Sequence, residues 1–204
     1  MLKVGLTGSI AVGKSFVVSV LRDLGCVTFD ADIIAHSVME PHQAAYADIV
    51  KEFGAGVLAQ DQTIDRAKLG AIVFADAKLR QRLNEIVHPR VFEEQNARLA
   101  EAELASPSGI AILDAALMIE SGGYKRFDKL IVVFCDRETQ VERLMKRNQI
   151  SREDGERRIA AQMSSDEKRK YADYEIDTTG TMEETRERVK EVYNELVARS
   201  LKGD

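Results

Sequence analysis

The sequence is poor in the residues that build all-β proteins. Its 204 residues contain no tryptophan, three prolines and 6% aromatic residues. β-Strands favour aromatic side chains and β-turns favour proline, so this composition argues against an all-β fold. The helix-forming residues Ala, Leu, Glu, Arg and Lys are abundant, which favours a protein rich in α-helix. The composition, with 45% hydrophobic and 31% charged residues, is ordinary for a soluble globular protein, and 204 residues suffice for one core with small insertions.

Other shortages exclude further classes of protein. The two cysteines, Cys26 and Cys135, lie far apart in apolar runs and outside metal-ligand spacing, which predicts buried, reduced thiols. No apolar run approaches the ~20 residues that cross a membrane, and the amino end is too short and interrupted for a signal peptide. We therefore expect a cytoplasmic protein without a membrane partner. The net charge of −5 argues against nucleic-acid binding, so any phosphate must be bound by a local arrangement of residues.

Apolar runs alternate with stretches of helical spacing. The helical stretches include Lys14–Leu24, which Gly25 closes, nearly all of the segment from Ala31 to about Ala105, and Thr181–Leu201. Ser151, Ser164 and Thr181 each fit the first position of a capping box. The predicted strands are Leu2–Thr7, Cys26–Asp30, Ile110–Leu113, Lys129–Phe134 and Tyr174–Asp177. Strands that alternate with helices and are buried on both faces predict an α/β fold with a parallel sheet.

One motif near the amino end carries the clearest functional signal. The segment Gly8–Ser15 matches G-x-x-x-x-G-K-[ST] in full, between a predicted strand and a predicted helix. Gly8 and Gly13 let the backbone curl round an anion, and the N–H groups of the loop and the helix point at the phosphates. Lys14 would reach the β- and γ-phosphates, and the Ser15 hydroxyl would bind Mg²⁺. The motif predicts a P-loop that binds Mg·ATP through Gly8, Ala11, Val12, Gly13, Lys14, Ser15 and Phe16.

Acidic residues end two of the predicted strands. Asp30 and Asp32 straddle the end of the second strand and, in an extended chain, would project to the same side. Ligands of parallel sheets bind outside the carboxyl ends of the strands, so a carboxylate here is placed to orient an acceptor hydroxyl or take its proton. For Asp32, an N-cap of the next helix is the alternative. Asp114 ends the third strand and is a candidate for a magnesium-linked role, although many strands end in Asp.

The segment from Arg137 to Lys170 is basic in an otherwise acidic protein. Arg143 and Arg147 lie four residues apart and hence on one helix face. Guanidinium groups there could close over a triphosphate and stabilise charge on its γ-phosphoryl oxygens. A solvated helix face with local salt bridges is the alternative.

Taken together, these positions resemble the dephospho-CoA kinases along nearly the whole chain. The order and spacing of the matching segments are specific to that family. They are Gly5–Gly8 before the P-loop, Asp30-Ala31-Asp32, Asp65-Arg66, Val73-Phe74, His88-Pro89-x-Val91, Leu117–Glu120, Gln140-x-x-Arg143-Leu144 with Arg147, Arg158-x-x-x-Gln162, Lys168-Arg169 and Ala172-Asp173.

The resemblance implies a P-loop NTPase-type fold in one kinase domain, 1–204, with three parts. These are a core (about 1–31, 108–136 and 172–204), a helical CoA-binding subdomain (about 32–107) and a helical lid (about 137–171). It implies an enzyme that uses Mg²⁺ and ATP to phosphorylate the ribose 3′-hydroxyl of dephospho-CoA, an alcohol acceptor, giving CoA and ADP. ATP and dephospho-CoA are then the partners of a monomer or weak oligomer.

The resemblance also implies roles for individual residues. Asp32 would be the base, Lys14 and Arg143 would act at the phosphates, and Arg147 would bind ATP. The residues expected on the acceptor side are Asp30, Arg66, His88 and Glu120. For His88, which precedes Pro89, a packed structural histidine is the alternative.

The sequence departs from the family pattern at several positions. Ala11 and Val12 stand where Gly and a small residue are usual, so the loop backbone is less free. Ala116 and Ile119 replace a Pro and a Phe, and Thr178 stands where an Asn is frequent on the adenine side. These changes bear on affinity more than on reaction type.

Two other functions are compatible with a P-loop. One is another small-molecule kinase, of the nucleoside monophosphate or shikimate type. The long helical insertion and Asp30-Ala31-Asp32 argue instead for an extended, adenine-bearing acceptor. The other is a non-catalytic, nucleotide-dependent regulator.

Overall fold

The structure, a computed structural model, describes residues 1–201. Positions 202–204, which end the predicted core, lie outside the described residues. The chain forms two compact units. One comprises Met1–Phe29 together with the chain from Ala102 onward, and the other is Asp30–Glu101.

A five-stranded parallel sheet confirms the predicted α/β fold. In chain order, its strands are β1 (Leu2–Thr7), β2 (Val27–Asp30), β3 (Ile110–Asp114), β4 (Lys129–Phe134) and β5 (Tyr174–Asp177). Their order across the sheet is β2-β3-β1-β4-β5. In the parallel pair β1–β3, Leu6 lies opposite Asp114, so the last residue of β3 sits beside the end of the central strand. Every strand predicted from an apolar run is present to within a residue at each end.

The helices of the first unit cover the sheet and form the predicted lid segment. They are α1 (Lys14–Asp23), α6 (Arg137–Asn148), α7 (Arg152–Ala160), α8 (Ser165–Arg169) and α9 (Met182–Ser200). Helices α1 and α9 pack against one another, and α9 also packs against β5. The core between them and the sheet contains fully buried side chains, including Leu6, Leu21, Ile112, Ile131, Ile176 and Leu196. Burying each of these side chains stabilises the fold by about 1.5–3 kcal/mol. This core holds the strands in place, and with them the loops that follow their carboxyl ends.

Two of the three predicted capping boxes form. At Ser164 and Thr181, the hydroxyl accepts from the N3 backbone and the N3 glutamate accepts from the N-cap backbone. Ser151 also caps its helix, by accepting from the N–H of Asp154. The Asp154 carboxylate pairs with Arg157 rather than completing the box. Aspartate is one methylene shorter than the glutamate of the capping box, which explains this difference.

The second unit is helical, as predicted for this segment. Its helices are α2 (Ala31–Ser37), α3 (Ala44–Phe53), α4 (Arg66–Ala75) and α5 (Ala77–Ala105), the last of which ends in the first unit. Helix α3 ends at Gly54, whose φ of 79° breaks the helical path of the chain. Asp61 shapes the turn between α3 and α4 by accepting hydrogen bonds from both the backbone N–H and the hydroxyl of Thr63. No helix within residues 1–201 has the length and apolar character to cross a membrane.

Candidate active site

The loop between β1 and α1 needs glycine at two positions for different reasons. A Cβ on Gly8 would lie 2.5 Å from the carbonyl oxygen of Val133 and 2.8 Å from Cγ2 of Val12. Because the first of these neighbours is backbone, no side-chain rotation could relieve the overlap. Gly13 caps α1 with φ 85° and ψ 13°, a left-handed conformation that glycine adopts at low cost. The first glycine permits a close approach to β4, and the second permits the turn into the helix.

Ala11 has the same left-handed backbone without being glycine. Its φ is 62°, which places Cβ close to the following carbonyl and costs about 1–2 kcal/mol relative to glycine. Its neighbour Val12 is fully buried and belongs to the core under the loop. The departure from the family pattern at Ala11 therefore carries a strain that the surrounding structure must offset.

The Lys14 ammonium is paired with Asp114. Its Nζ donates to Asp114 Oδ1, and the two side chains are 21% and 9% exposed. The pairing of β1 with β3 brings the acid to this position, because Asp114 is the last residue of β3 and lies opposite Leu6. The Asp114 carboxylate thus compensates a positive charge that is largely shielded from water.

Arg143 and Thr178 meet beneath the end of the loop. Arg143 donates from Nη1 to Thr178 Oγ1 at 3.0 Å and from Nη2 to the Thr178 carbonyl at 2.7 Å. The Thr178 hydroxyl in turn lies 2.7 Å from the Val12 carbonyl oxygen. A Cβ on Gly13 would lie 3.5 Å from Arg143 Nη1, so the guanidinium stands beside the phosphate loop. Thr178 had no sequence signal beyond its departure from the family pattern, yet it connects Arg143 to the loop.

Arg147 differs from Arg143 in its surroundings. It is exposed, and its Nε donates to Asn148 Oδ1 at 2.9 Å. Other basic residues of the segment form surface ion pairs, such as Arg152 with Glu138. Part of the segment from Arg137 to Lys170 is therefore a solvated helix face with salt bridges, which was the alternative prediction. Arg143, by contrast, contacts the end of the P-loop.

Two titratable groups at the start of α6 have shifted pKa values. Burial raises the pKa of the Cys135 thiol to about 11, although the positive charge of Arg143 acts in the opposite direction. Hydrogen bonds from the side chain and backbone of Thr139 lower the pKa of Asp136, the N-cap of α6. At neutral pH the thiol is neutral and the carboxylate is ionised.

A buried lysine holds the segment that follows β3. The Lys168 side chain is 0% exposed, and its ammonium donates to the Ala116 carbonyl at 2.7 Å and to Glu120 at 2.9 Å. The same carbonyl accepts from Thr7 Oγ1 at 3.1 Å. Glu120, expected on the acceptor side, is thus an ion-pair partner of Lys168. Lys168 belonged to a family-like segment, but nothing in the sequence indicated its burial.

Asp30 and Asp32 differ from the geometry expected of them. The chain becomes helical at Ala31, so the prediction that both side chains project alike from an extended strand is wrong. Asp30 is the N-cap, accepting from the N–H groups of Asp32 and Ile33 at 2.8 and 3.1 Å. The alternative role of N-cap for Asp32 is therefore also wrong. Asp32 lies exposed in the first turn of α2.

The other expected acceptor-side residues lie on helices of the second unit. Arg66 is the exposed first residue of α4. His88 is an exposed residue of α5, and its ring stands edge-on to Phe92 with the centroids 6.3 Å apart. The exposure of His88 argues against the alternative of a packed structural histidine.

The chain offers few residues to a metal. Within residues 1–201, no group of three or more His, Cys, Asp or Glu side chains could hold a metal ion. The hydroxyl of Ser15, an exposed residue in the first turn of α1, and the carboxylate of Asp114 are oxygen donors of the kind that Mg²⁺ prefers. These donors suit an ion that is bound mainly by the phosphates it accompanies.

Comparison with known proteins shows which family this chain resembles. The model of the family described as "Dephospho-CoA kinase" matches residues 2–184. The chain belongs to the dephospho-CoA kinase family. A dephospho-CoA kinase of Geobacter sulfurreducens is 45% identical over 190 residues, which cover 93% of this chain and 96% of that protein. The family resemblance seen in the sequence is thereby confirmed.

Solved structures agree with this membership of the dephospho-CoA kinase family. A dephospho-CoA kinase from Campylobacter jejuni superposes with a TM-score of 0.74 at 28% identity, covering 96% of this chain and 97% of that one. A protein from Thermus thermophilus gives a TM-score of 0.78 at 32% identity, with the same coverage. The chain therefore has the P-loop fold of the dephospho-CoA kinase family, and its membership of that family makes it a kinase.

Proposed function

We propose that this chain transfers the γ-phosphoryl group of ATP to the ribose 3′-hydroxyl of dephospho-CoA, giving CoA and ADP. The proposal rests on the P-loop and the two charged side chains beside it. Lys14 forms an ion pair with Asp114, and the Arg143 guanidinium lies beside Gly13. Membership of the dephospho-CoA kinase family supplies the acceptor.

The proposed reaction is a direct displacement at phosphorus. The 3′-oxygen of the acceptor bonds to the γ-phosphorus, the bond to the β–γ bridging oxygen breaks, and the hydroxyl proton passes to the Asp32 carboxylate. Lys14 moves from Asp114 towards the phosphates, and Arg143 neutralises charge on the leaving ADP. Mg²⁺, when bound, would be held by Ser15 and, through water, by Asp114 or Asp32, and would neutralise phosphate charge. Positioning of the two reactants can lower the barrier by roughly 7–11 kcal/mol.

The acceptor-side roles are also part of the proposal. Arg66 and His88 are exposed on helices of the second unit, and within residues 1–201 they make none of the capping and ion-pair contacts that engage Asp30 and Glu120. We therefore give Arg66 and His88 direct contacts with the acceptor. Asp30 acts by fixing the first turn of α2, which carries Asp32, and Glu120 acts through Lys168. A monomer or weak oligomer in the cytoplasm, where ATP and Mg²⁺ are available, completes the proposal.

The direct test is mass-spectrometric detection of one phosphate added to dephospho-CoA in the presence of Mg·ATP. ADP release measured with shikimate, AMP and dephospho-CoA in parallel separates this reaction from the other small-molecule kinases. Strong turnover of shikimate or AMP alone would refute the acceptor, and nucleotide binding without any phosphoryl transfer would favour the regulator.

Two variants test the assigned roles. Asp32→Asn should lower kcat at least 100-fold, as expected for loss of a general base, while Mg·ATP binding persists. Asp48→Asn, at an exposed position of α3, is the matched control and should keep full activity. Lys14→Ala should weaken both binding and turnover. Near-full activity of Asp32→Asn would rule out the base assignment.

A further inference from the structure

The tip of the P-loop is fastened to the lid segment by three hydrogen bonds. The Ile10 N–H donates to Gln162 Oε1 at 2.8 Å, and Gln140 Nε2 donates to the Ile10 carbonyl at 2.8 Å. Ser9 Oγ donates to the Met163 carbonyl at 2.9 Å. Both backbone groups of Ile10 are thus bonded to glutamine side chains that lie 130 and 152 residues away in sequence.

Apolar contacts reinforce this attachment. Ile10 and Ala11 pack against a small cluster in the lid segment formed by Val141, Leu144 and Ile159. Gln140 is only 3% exposed, so its amide has little access to water. A buried amide that loses its partner is destabilising, and this makes the geometry at Ile10 demanding.

The attachment adjoins the strained position in the loop. Ala11, with φ 62°, directly follows Ile10. A non-glycine residue leaves the left-handed region unless its surroundings hold it there. We infer that Gln140 and Gln162 are positioning residues for nucleotide binding. Their hydrogen bonds to Ile10 hold the P-loop in the curved conformation that binds phosphate, despite the backbone strain at Ala11. The inference rests on the proposed use of this loop for ATP.

The consequence is a measurable loss of nucleotide affinity when either amide is removed. If the curled loop becomes a minor conformation, the apparent Kd rises in inverse proportion to its population. Gln162→Leu and Gln140→Leu should each weaken Mg·ATP binding about tenfold, which corresponds to ~1.4 kcal/mol. The KM for ATP should rise similarly, with kcat changing less. Gln60→Leu, at an exposed position of the second unit, is the matched control and should leave Kd unchanged.

The two glutamines use opposite ends of their amides, which gives a test that needs no nucleotide. Gln162 accepts from Ile10, and a carboxylate can also accept, so Gln162→Glu should keep the Ile10 amide protected from hydrogen exchange. Gln162→Leu should lose that protection. Gln140 donates to Ile10, and a carboxylate cannot, so Gln140→Glu should disrupt the loop more than Gln140→Leu does.

The decisive experiment repeats the titrations in an Ala11→Gly background. Glycine adopts φ near 60° at low cost, so the loop should need the glutamines less. The tenfold effect of Gln162→Leu on the Kd of Mg·ATP, measured by calorimetry, should then shrink to about threefold or less. Urea unfolding of each variant checks that the fold is intact.

Failure of the positioning inference and failure of the proposed function give different results. If the parent chain binds no Mg·ATP, the proposed function fails. If the parent binds and the Leu variants bind equally well, the positioning inference is wrong. An equal loss of affinity with and without the Ala11→Gly substitution would also overturn it, because the glutamines would then act independently of the strain at position 11.

Discussion

Replacing Lys168 with methionine tests how the segment after β3 is held. Lys168 is the largest fully buried side chain among the described residues, and its ammonium bonds the Ala116 carbonyl and Glu120. Methionine has nearly the same length and is apolar, so it fills the site with little cavity. The substitution therefore removes the charge and its hydrogen bonds rather than the packing.

The magnitude depends on the exposure of the two partners. Breaking a buried ion pair from one side costs about 3–5 kcal/mol when the remaining charge has no access to water. The Glu120 side chain is 25% exposed, and the Ala116 carbonyl keeps the hydrogen bond from Thr7. Lys168→Met should thus lower the free energy of unfolding by about 2 kcal/mol, the size of one charged hydrogen bond.

Urea denaturation, with the m-value as a check on two-state behaviour, measures this change. Glu120→Met should cost more than Lys168→Met, since it leaves a 0% exposed ammonium unpaired. Combining the two substitutions should recover part of the loss, because neither charge then stays behind. Lys170→Met, at an exposed position two residues along, is the control. A loss under about 0.5 kcal/mol for Lys168→Met, or the reverse order of the two single variants, would refute the reasoning.

Three further predictions concern the phosphate loop, its threonine partner and the thiols. Gly8→Ala should destabilise the fold by about 1–3 kcal/mol and abolish Mg·ATP binding, because its Cβ would meet the Val133 carbonyl; unchanged calorimetric binding would contradict this. Thr178→Val should cost about 1–2 kcal/mol in urea unfolding, whereas Thr178→Ser, which keeps the hydroxyl, should cost less than half as much; equal losses would show that packing decides. Burial raises the pKa of Cys26 to about 12 and of Cys135 to about 11, from 9.0. Both thiols should therefore resist alkylation at pH 8 until the chain unfolds, and stability should fall as the pH rises above 9.0, where the unfolded chain ionises first.

The sequence by itself determined the features that depend on neighbouring residues. Strands β1, β3 and β4 appear as short apolar runs because both faces of this part of the sheet are buried. The P-loop can be recognised in the sequence because Gly8, Gly13 and Lys14 must stand at fixed spacing in one short loop. The family resemblance added the acceptor. One short-range prediction was wrong: Asp30 and Asp32 do not project alike from an extended strand, because α2 begins at Ala31 and Asp30 caps it.

Tertiary structure alone decided which distant residues meet the loop. The partners of Lys14, Val12 and Ile10 lie 100, 166 and 152 residues away, at Asp114, Thr178 and Gln162. The residue types at these positions do not reveal the contacts, because a threonine or a glutamine occurs on the surface of a protein as well as in its core. Strand pairing and helix packing bring them together, and burial then makes each hydrogen bond necessary, since an unpaired polar group away from water is destabilising.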